Sequence, residues 1–146
     1  MKIYIGCDHA GYLMKEELKQ YLEKQYEVID EGTNSSESVD YPDYATKVCR
    51  NMSQDDVGIL ICYTGIGMSM CANKFPGIRA ALVGKVEDAI LTREHNNANV
   101  LCLSSKNTTF LEAKDIVKAF LVSSFTGGRH ERRVNKMMAI QNETQA

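Results

Sequence analysis

Short apolar segments alternate with longer amphipathic segments about five times along this chain, and this alternation limits the fold more than any other feature. The apolar segments have the length and composition of strands, at residues 3–6, 27–29, 57–61, 78–83 and 100–103. Helical spacing is found at residues 11–25, 41–52, 86–97 and from residue 109 onward, with a short helix up to Asn73 after the third strand. The pattern predicts an α/β fold whose parallel sheet is covered by helices on both faces.

Local signals fix several helix ends. Pro42 suits the first turn of the second helix. Thr109 with Glu112 three residues later is a capping-box pattern, and Gly127–Gly128 is predicted to break the helix that this box opens. A last, very polar helix is predicted over residues 129–142. Because no repeat or linker divides the chain, we expect one domain over residues 1–146.

The composition excludes several classes of protein. The chain is 44% hydrophobic and 25% charged with a net charge of −2, so nothing suggests nucleic acid or an anionic membrane as a partner. The N-terminal apolar stretch is too short for a signal peptide, and Asp8 interrupts it. No apolar run approaches the roughly 18 residues that a membrane span needs. We therefore expect a cytoplasmic protein.

The five cysteines are predicted to be free thiols. They are Cys7, Cys49, Cys62, Cys71 and Cys102. Their number is odd, their spacing is irregular and none forms a Cys-x-x-Cys pair, which argues against a disulfide framework. Most should be small buried hydrophobic residues. A metal site is not expected, because there is neither a cysteine cluster nor a His-x-x-x-His pattern.

The residues that follow the strands are the candidates for chemistry, since ligands of parallel sheets bind beyond the carboxyl ends of the strands. Cys62 ends the third strand just before a glycine-rich loop and a helix N-terminus, where backbone amides and the helix dipole favour a thiolate. Asp8 and His9 follow the first strand, and residues 104–106 follow the last.

The loop Thr64-Gly65-Ile66-Gly67-Met68-Ser69 is a candidate anion site. Its two glycines let backbone N–H groups approach a phosphate or a developing oxyanion. The loop lacks the Gly-Lys-Ser/Thr ending of a Walker loop and the full dinucleotide fingerprint. A tight turn from strand to helix would also explain it.

The C-terminal helix places Arg129 and Arg133 on one face, four residues apart. Two arginine forks match the geometry of a phosphate, although a solvated basic helix would also account for them.

Together these segments resemble the type B ribose-5-phosphate isomerases, which share a superfamily with the subunits of galactose-6-phosphate isomerase. The similarity covers nearly the whole chain. It is carried by Gly6-Cys7-Asp8-His9-Ala10-Gly11, Asp40-Tyr41-Pro42, residues 61–69, Ala72-Asn73-Lys74, Gly77-Ile78-Arg79-Ala80-Ala81, residues 95–101 and Gly128-Arg129-His130. The resemblance implies a Rossmann-like α/β/α sandwich with five parallel strands and a C-terminal helix. It also implies a homodimer, often paired into tetramers, with active sites shared between subunits.

The resemblance implies a cofactor-free interconversion of ribose 5-phosphate and ribulose 5-phosphate in the non-oxidative pentose phosphate pathway. Cys62 matches the general base that moves the proton, and His95, from the partner subunit, matches the acid–base that opens the furanose ring. The amides around Gly65, Ile66, Gly67, Met68 and Ser69 match the enediolate-binding hole, assisted by Thr64.

The remaining matches concern the substrate. Those for the sugar hydroxyls are Asp8, Tyr41 and Asn96, and those for the phosphate are His9, Arg129 and Arg133. Two positions depart from the family: Tyr63 replaces a common glycine, and Lys106 replaces a common arginine. Tyr63 could change which sugar fits, whereas Lys106 offers charge to a phosphate without a bidentate fork.

Other functions compete with this reading. A six-carbon sugar phosphate, allose or galactose 6-phosphate, is an alternative substrate. A non-catalytic phosphate-binding module would explain the loop and the basic helix but would give Cys62 and His95 no role. A thiol redox sensor would need a resolving cysteine, and Cys71 is poorly placed for that.

Overall fold

The computed structural model describes residues 1–144, and it has the α/β architecture that the alternation predicts. Its strands are β1 (Lys2–Cys7), β2 (Glu27–Asp30), β3 (Val57–Cys62), β4 (Ala80–Leu82) and β5 (Val100–Ser104). Its α-helices are α1 (Tyr12–Leu22), α2 (Tyr41–Asn51), α3 (Ile66–Ala72), α4 (Val86–Glu94), α5 (Phe110–Val122) and α6 (Arg129–Thr144). A 3₁₀ turn at His9–Gly11 joins β1 to α1.

The five strands form one parallel sheet in the order β2-β1-β3-β5-β4. All six residues of the central strand β3 are buried, as expected for a strand covered on both faces. Buried side chains of α1, α4 and α5 pack on one face of the sheet. Side chains of α2 and α3 pack on the other. The α/β/α sandwich predicted by the family resemblance is therefore confirmed.

Helix α6 lies outside these two layers. The Gln141 side chain accepts a hydrogen bond from the Gly77 N–H at 2.9 Å, and the Met138 sulfur lies 3.7 Å from the Arg79 guanidinium. Val134 is the buried hydrophobic residue of this helix. Among residues 1–144, no helix combines the length and the apolar character needed to cross a membrane.

Most predicted boundaries lie within a few residues of the observed ones. The capping box is confirmed, with the Glu112 N–H donating to Thr109 Oγ1 at 3.1 Å and the Thr109 N–H donating to Glu112 Oε1 at 3.0 Å. Pro42 lies in the first turn of α2, as predicted.

Three boundaries differ from the prediction. Helix α5 ends at Val122 rather than at the glycine pair, because Ser123 is extended and its hydroxyl donates to the Ala119 carbonyl at 2.7 Å. Helix α4 ends at Glu94, and Asn97 adopts a positive φ of 51° three residues later. Strand β4 has only three residues, because the Arg79 N–H bonds the Asn99 side chain instead of a strand partner.

A buried ion pair fixes α1 to the end of β2. The ammonium of Lys15 is fully buried and lies 2.9 Å from both carboxylate oxygens of Asp30, and it also donates to the Thr33 carbonyl at 2.6 Å. Lys19, which is partly exposed, contacts the same carboxylate at 3.2 Å. Burial of Asp30 opposes ionisation, but hydrogen bonds from Lys15 and Gly32 outweigh it and lower the pKa of this carboxyl.

We predict that Lys15→Met destabilises the fold by about 3 kcal/mol, because it leaves the Asp30 charge and the buried Thr33 carbonyl without their main donor. Lys19→Met, the matched control, should cost less than about 1 kcal/mol because Lys19 is partly exposed. Urea unfolding at pH 7 measures both. Equal stability of the two variants would contradict this assignment.

The same pair predicts a pH dependence. Because the folded-state pKa of Asp30 is lowered, its stabilising contribution is complete above about pH 4 and is lost as pH falls through the folded value. The difference in the free energy of unfolding between wild type and Lys15→Met should therefore be smaller below about pH 4 than at pH 7.

Candidate functional site

Cys62 lies at the carboxyl end of β3, where the chain turns into α3. Its sulfur accepts a hydrogen bond from the Gly65 N–H at 3.2 Å, and its side chain is 5% exposed. This hydrogen bond becomes charge-assisted when the sulfur is deprotonated. The N–H groups of the first turn of α3 have no acceptor within the helix, so they also favour negative charge here.

Gly65 makes this turn sterically possible. It has a φ of +78°, and a Cβ added there would contact Leu82 and lie 3.0 Å from the Leu103 carbonyl oxygen. A larger residue would therefore be strained by both its backbone and its surroundings. The glycine brings the start of α3 close to the ends of β3 and β5.

Gly67 leaves room for Tyr41 over the first turn of α3. A Cβ at this position would lie 2.7 Å from two carbons of the Tyr41 ring and 3.0 Å from its hydroxyl oxygen. The phenol of α2 thus contacts the same loop as Cys62, although the two side chains lie 21 residues apart in sequence.

The polar side chains of the loop are engaged locally. Thr64 Oγ1 accepts from the Ile66 N–H at 3.3 Å, and the Ser69 hydroxyl donates to the Ile66 carbonyl at 2.8 Å. The side chain of Met68 is fully buried in the core, whereas that of Ile66 is half exposed. The backbone N–H groups of Gly67 and Met68, in the first turn of α3, are the groups of these two residues that could face a ligand.

Asp8 and His9 lie on the turn after β1, beside the end of β3. The Asp8 N–H donates to the Ile61 carbonyl at 3.2 Å, and its carboxylate accepts from the Ala10 and Gly11 N–H groups at 3.0 and 3.1 Å. His9 Nδ1 accepts from the Val39 N–H at 3.2 Å. The bond to Val39 leaves His9 Nε2 as the nitrogen that carries a proton in the neutral ring.

Lys106 and Tyr63, the two departures from the family pattern, contact each other. The Lys106 N–H donates to the Tyr63 carbonyl at 2.9 Å, and the Lys106 ammonium lies 5.6 Å from the centre of the Tyr63 ring. The Tyr63 side chain is 56% exposed. Both therefore lie at the rim of the site rather than beneath Cys62.

The thiols of the other four cysteines are harder to deprotonate than that of an ordinary cysteine. Burial raises the pKa of Cys7 and of Cys49 to about 12 each, and it also raises the pKa values of Cys71 and Cys102. The prediction that most cysteines are buried packing residues is confirmed for Cys7, Cys49 and Cys102. Within residues 1–144, no group of three His, Cys, Asp or Glu side chains is arranged to hold a metal ion.

A second group of predicted residues lies where α4 ends and α6 begins. The imidazoles of His95 and His130 are stacked, with ring centres 4.2 Å apart and planes 12° from parallel. Arg129 and Arg133 lie close enough to lower the pKa of His130, after burial and His95, which contribute more. Asn96 follows His95 and lines a cleft of about 750 Å³ beneath α6. We call His95, Asn96, Arg129, His130 and Arg133 the histidine cluster.

The structure does not bring the histidine cluster to Cys62 within one chain. The Asn99 carbonyl, just after the cluster, accepts from the Gly58 N–H at 2.9 Å, near the start of β3. Cys62 is four residues farther along this strand, or about 13 Å. The cluster therefore lies toward the amino edge of the sheet, opposite the edge that carries Asp8 and Cys62.

The sequence contains His130 within Gly128-Arg129-His130 but gives no indication of its role. Its position in sequence does not indicate its partner, because 34 residues separate it from His95. Lys15 lies within the predicted helix at residues 11–25, and nothing in the sequence around it indicates that its charge is buried.

Comparison with known proteins gives consistent results. The model of the ribose/galactose isomerase family matches residues 3–137. Ribose-5-phosphate isomerase B of Escherichia coli is 47% identical over 143 residues, which cover 96% of each chain. A ribose-5-phosphate isomerase B structure from Clostridium thermocellum superimposes with a TM-score of 0.96, at 48% identity and 99% coverage of both chains. The enzyme from Mycoplasma genitalium, solved with bound ribulose 5-phosphate, has a TM-score of 0.90, at 46% identity and 97% coverage of both chains.

Proposed function

This chain belongs to the ribose/galactose isomerase family, and we propose that it interconverts D-ribose 5-phosphate and D-ribulose 5-phosphate with the Cys62 thiolate as the base. It is an aldose–ketose isomerase that works through an enediolate. The observation that carries the role of Cys62 is its position, at the end of a buried strand with the Gly65 N–H on its sulfur. The bound ribulose 5-phosphate of the Mycoplasma genitalium relative supports the choice of substrate.

The proposed reaction transfers one proton between neighbouring carbons. The Cys62 thiolate removes the proton from C2 of the open-chain aldose, and the electron pair moves into a C1–C2 double bond as the C1 carbonyl becomes an oxyanion. Proton exchange between the two oxygens and return of a proton to C1 then give the ketose. The N–H groups of Gly67 and Met68 would stabilise the oxyanion, because they are fixed before the charge develops. The N–H groups of Gly65, Ile66 and Ser69 already donate, to the Cys62 sulfur, Thr64 Oγ1 and the Gly65 carbonyl respectively.

We assign the substrate's other groups to the polar residues around this loop. Asp8 and Tyr41 hold sugar hydroxyls, since one lies beside Ile61 and the other over Gly67. His9 donates to the phosphate through Nε2, because Val39 occupies Nδ1. Lys106 adds positive charge at the rim, where Tyr63 contacts its ammonium.

The chain is proposed to act as a homodimer whose two sites each combine Cys62 of one subunit with the histidine cluster of the other. The placement of these groups toward opposite edges of the sheet supports this arrangement, since one chain alone leaves His95 far from Cys62. In the dimer the partner subunit's His95 would open the furanose ring. Asn96 would bind a hydroxyl, and Arg129 with Arg133 would bind the phosphate through two guanidinium forks.

An apolar rim beside the Cys62 loop is the proposed contact surface. It consists of Tyr63, Ile66, Met70 and Leu82, whose side chains are between 44% and 64% exposed. Ile66 and Met70 lie four residues apart on α3, and Leu82 contacts the space beside Gly65. Large exposed apolar side chains that form a group typically mark an interface.

Substitution of Cys62 tests its assignment as the base. Cys62→Ala should lower kcat for ribose 5-phosphate at least ~1000-fold, because it removes the group that accepts the proton. Cys71→Ala is the matched control and should retain wild-type activity within about twofold, since Cys71 lies outside the loop. Activity should persist in EDTA, and Cys62→Ala should still bind ribose 5-phosphate in calorimetry.

Two results would contradict this function. Turnover by Cys62→Ala close to that of the control would exclude Cys62 as the base. Faster turnover of allose 6-phosphate or galactose 6-phosphate than of ribose 5-phosphate by wild type would exclude the assigned substrate.

A charge introduced into the apolar rim tests its assignment as the dimer contact. Met70→Glu should convert the dimer to a monomer in analytical ultracentrifugation and abolish turnover, because a charge would be buried in the contact. Leu111→Glu is the control, since Leu111 is 70% exposed on α5, a helix that contributes no residue to the apolar rim. A Met70→Glu protein that remains a fully active dimer would exclude this surface as the interface.

A further inference from the structure

His130 is the member of the histidine cluster to which the reaction described above assigns no step, yet its ring stacks directly on that of His95. The two imidazole planes are 12° from parallel and their centres are 4.2 Å apart. Rotation of either imidazole about its Cβ–Cγ bond would break the stacking contact between the two ring faces. The stack therefore fixes the plane of the His95 ring.

The backbone holds both partners of the stack in place. The His95 N–H donates to the Leu91 carbonyl at 2.8 Å, at the end of α4. The His130 N–H donates to the Gly127 carbonyl at 3.1 Å, in the first turn of α6. Between them, Thr126 donates twice to the Glu94 carbonyl, from its N–H at 3.1 Å and its hydroxyl at 2.9 Å. These bonds fix the start of α6 to the residue before His95.

The charges around His130 favour a neutral ring. Partial burial lowers the pKa of His130, and so do the neighbouring His95 imidazole, whenever it is protonated, and the guanidinium groups of Arg129 and Arg133. A neutral His130 can stay stacked while His95 takes up and releases a proton. A second charged imidazole at this distance would oppose that proton uptake.

We propose that His130 is a positioning residue for ring opening, holding the His95 imidazole in the plane in which it transfers protons to and from the furanose. The inference rests on the proposed isomerase function and deepens it. In ring opening the O1 hydroxyl loses its proton, the C1–O4 bond breaks with its electron pair going to O4, and O4 gains a proton. A single imidazole can carry both transfers only if its nitrogens face these oxygens.

A comparison of ribose 5-phosphate with ribulose 5-phosphate distinguishes a role of His130 in ring opening from a role in the proton transfer at Cys62. Ribose 5-phosphate closes into a furanose through O4. Ribulose 5-phosphate stays open, because a five-membered ring would need the oxygen that carries the phosphate. Isomerisation of ribose 5-phosphate needs ring opening, whereas solvent exchange of the C1 hydrogen of ribulose 5-phosphate needs only the base and the enediolate. Exchange in D₂O, followed by NMR, thus measures the Cys62 step alone.

The experiment compares three variants of the full-length protein. His130→Ala removes the stack and should lower kcat for ribose 5-phosphate by about 10- to 100-fold, with C1 exchange of ribulose 5-phosphate within about threefold of wild type. His130→Phe keeps a flat ring on His95 and should restore kcat to within about threefold of wild type. Asn135→Ala changes the exposed surface of α6 away from the stack and should leave both rates unchanged.

Three results would overturn the proposal. They are full activity of His130→Ala, equally poor activity of His130→Phe, or a parallel loss of isomerisation and C1 exchange in His130→Ala. The last would place His130 in binding or folding rather than in ring opening.

A measurement without substrate separates this proposal from the assigned function. The stacked ring should shift the ¹H resonance of His95 Hε1 upfield, and this shift should disappear in His130→Ala but remain in His130→Phe. Inactive wild type would contradict the isomerase function and with it the role in ring opening. An unshifted resonance in active wild type would overturn the positioning role alone.

Discussion

The parallel pairing of β3 with β1 and β5 determines where every functional group of this protein lies. Because the strands are parallel, each connecting helix returns across the sheet, so the end of a helix lies at the opposite edge from the end of the preceding strand. Cys62 is the last residue of β3, and His95 directly follows the last residue of α4. A single chain therefore separates the base from the group assigned to ring opening, and the shared site that we propose is a consequence of topology.

Close packing at the carboxyl edge completes the site around Cys62. Gly11 and Gly65 both lie where a Cβ would meet a backbone carbonyl, of Ile61 and Leu103 respectively. The absence of side chains at these two positions lets the Asp8 turn approach the end of β3 and lets the start of α3 approach the end of the neighbouring strand β5. The sulfur, the loop amides and the Asp8 carboxylate are thus held by backbone that is already buried, so little reorganisation is needed when charge develops.

The sequence predicted the sheet, its helices and the position of Cys62 because each rests on a local pattern. The buried strand ending at Cys62, the capping box at Thr109 and the loop glycines are all visible within a few residues. What the sequence did not indicate depends on contacts between distant segments. The burial of Lys15 against Asp30, the contact of Tyr41 with Gly67, and the stack of His130 on His95 join residues 15, 26 and 35 positions apart, and no local pattern encodes them.

Mixing two inactive variants tests the central claim, that Cys62 and His95 of different subunits form one site, most directly. Cys62→Ala and His95→Ala are unfolded, combined in equal amounts and refolded, so that subunits pair at random. In mixed dimers one of the two sites keeps both native residues, so activity should recover to about a quarter of that of wild type. If both residues act within one chain, every chain in the mixture carries a defect in its own site. The mixture would then stay as inactive as its components, which would contradict the shared site.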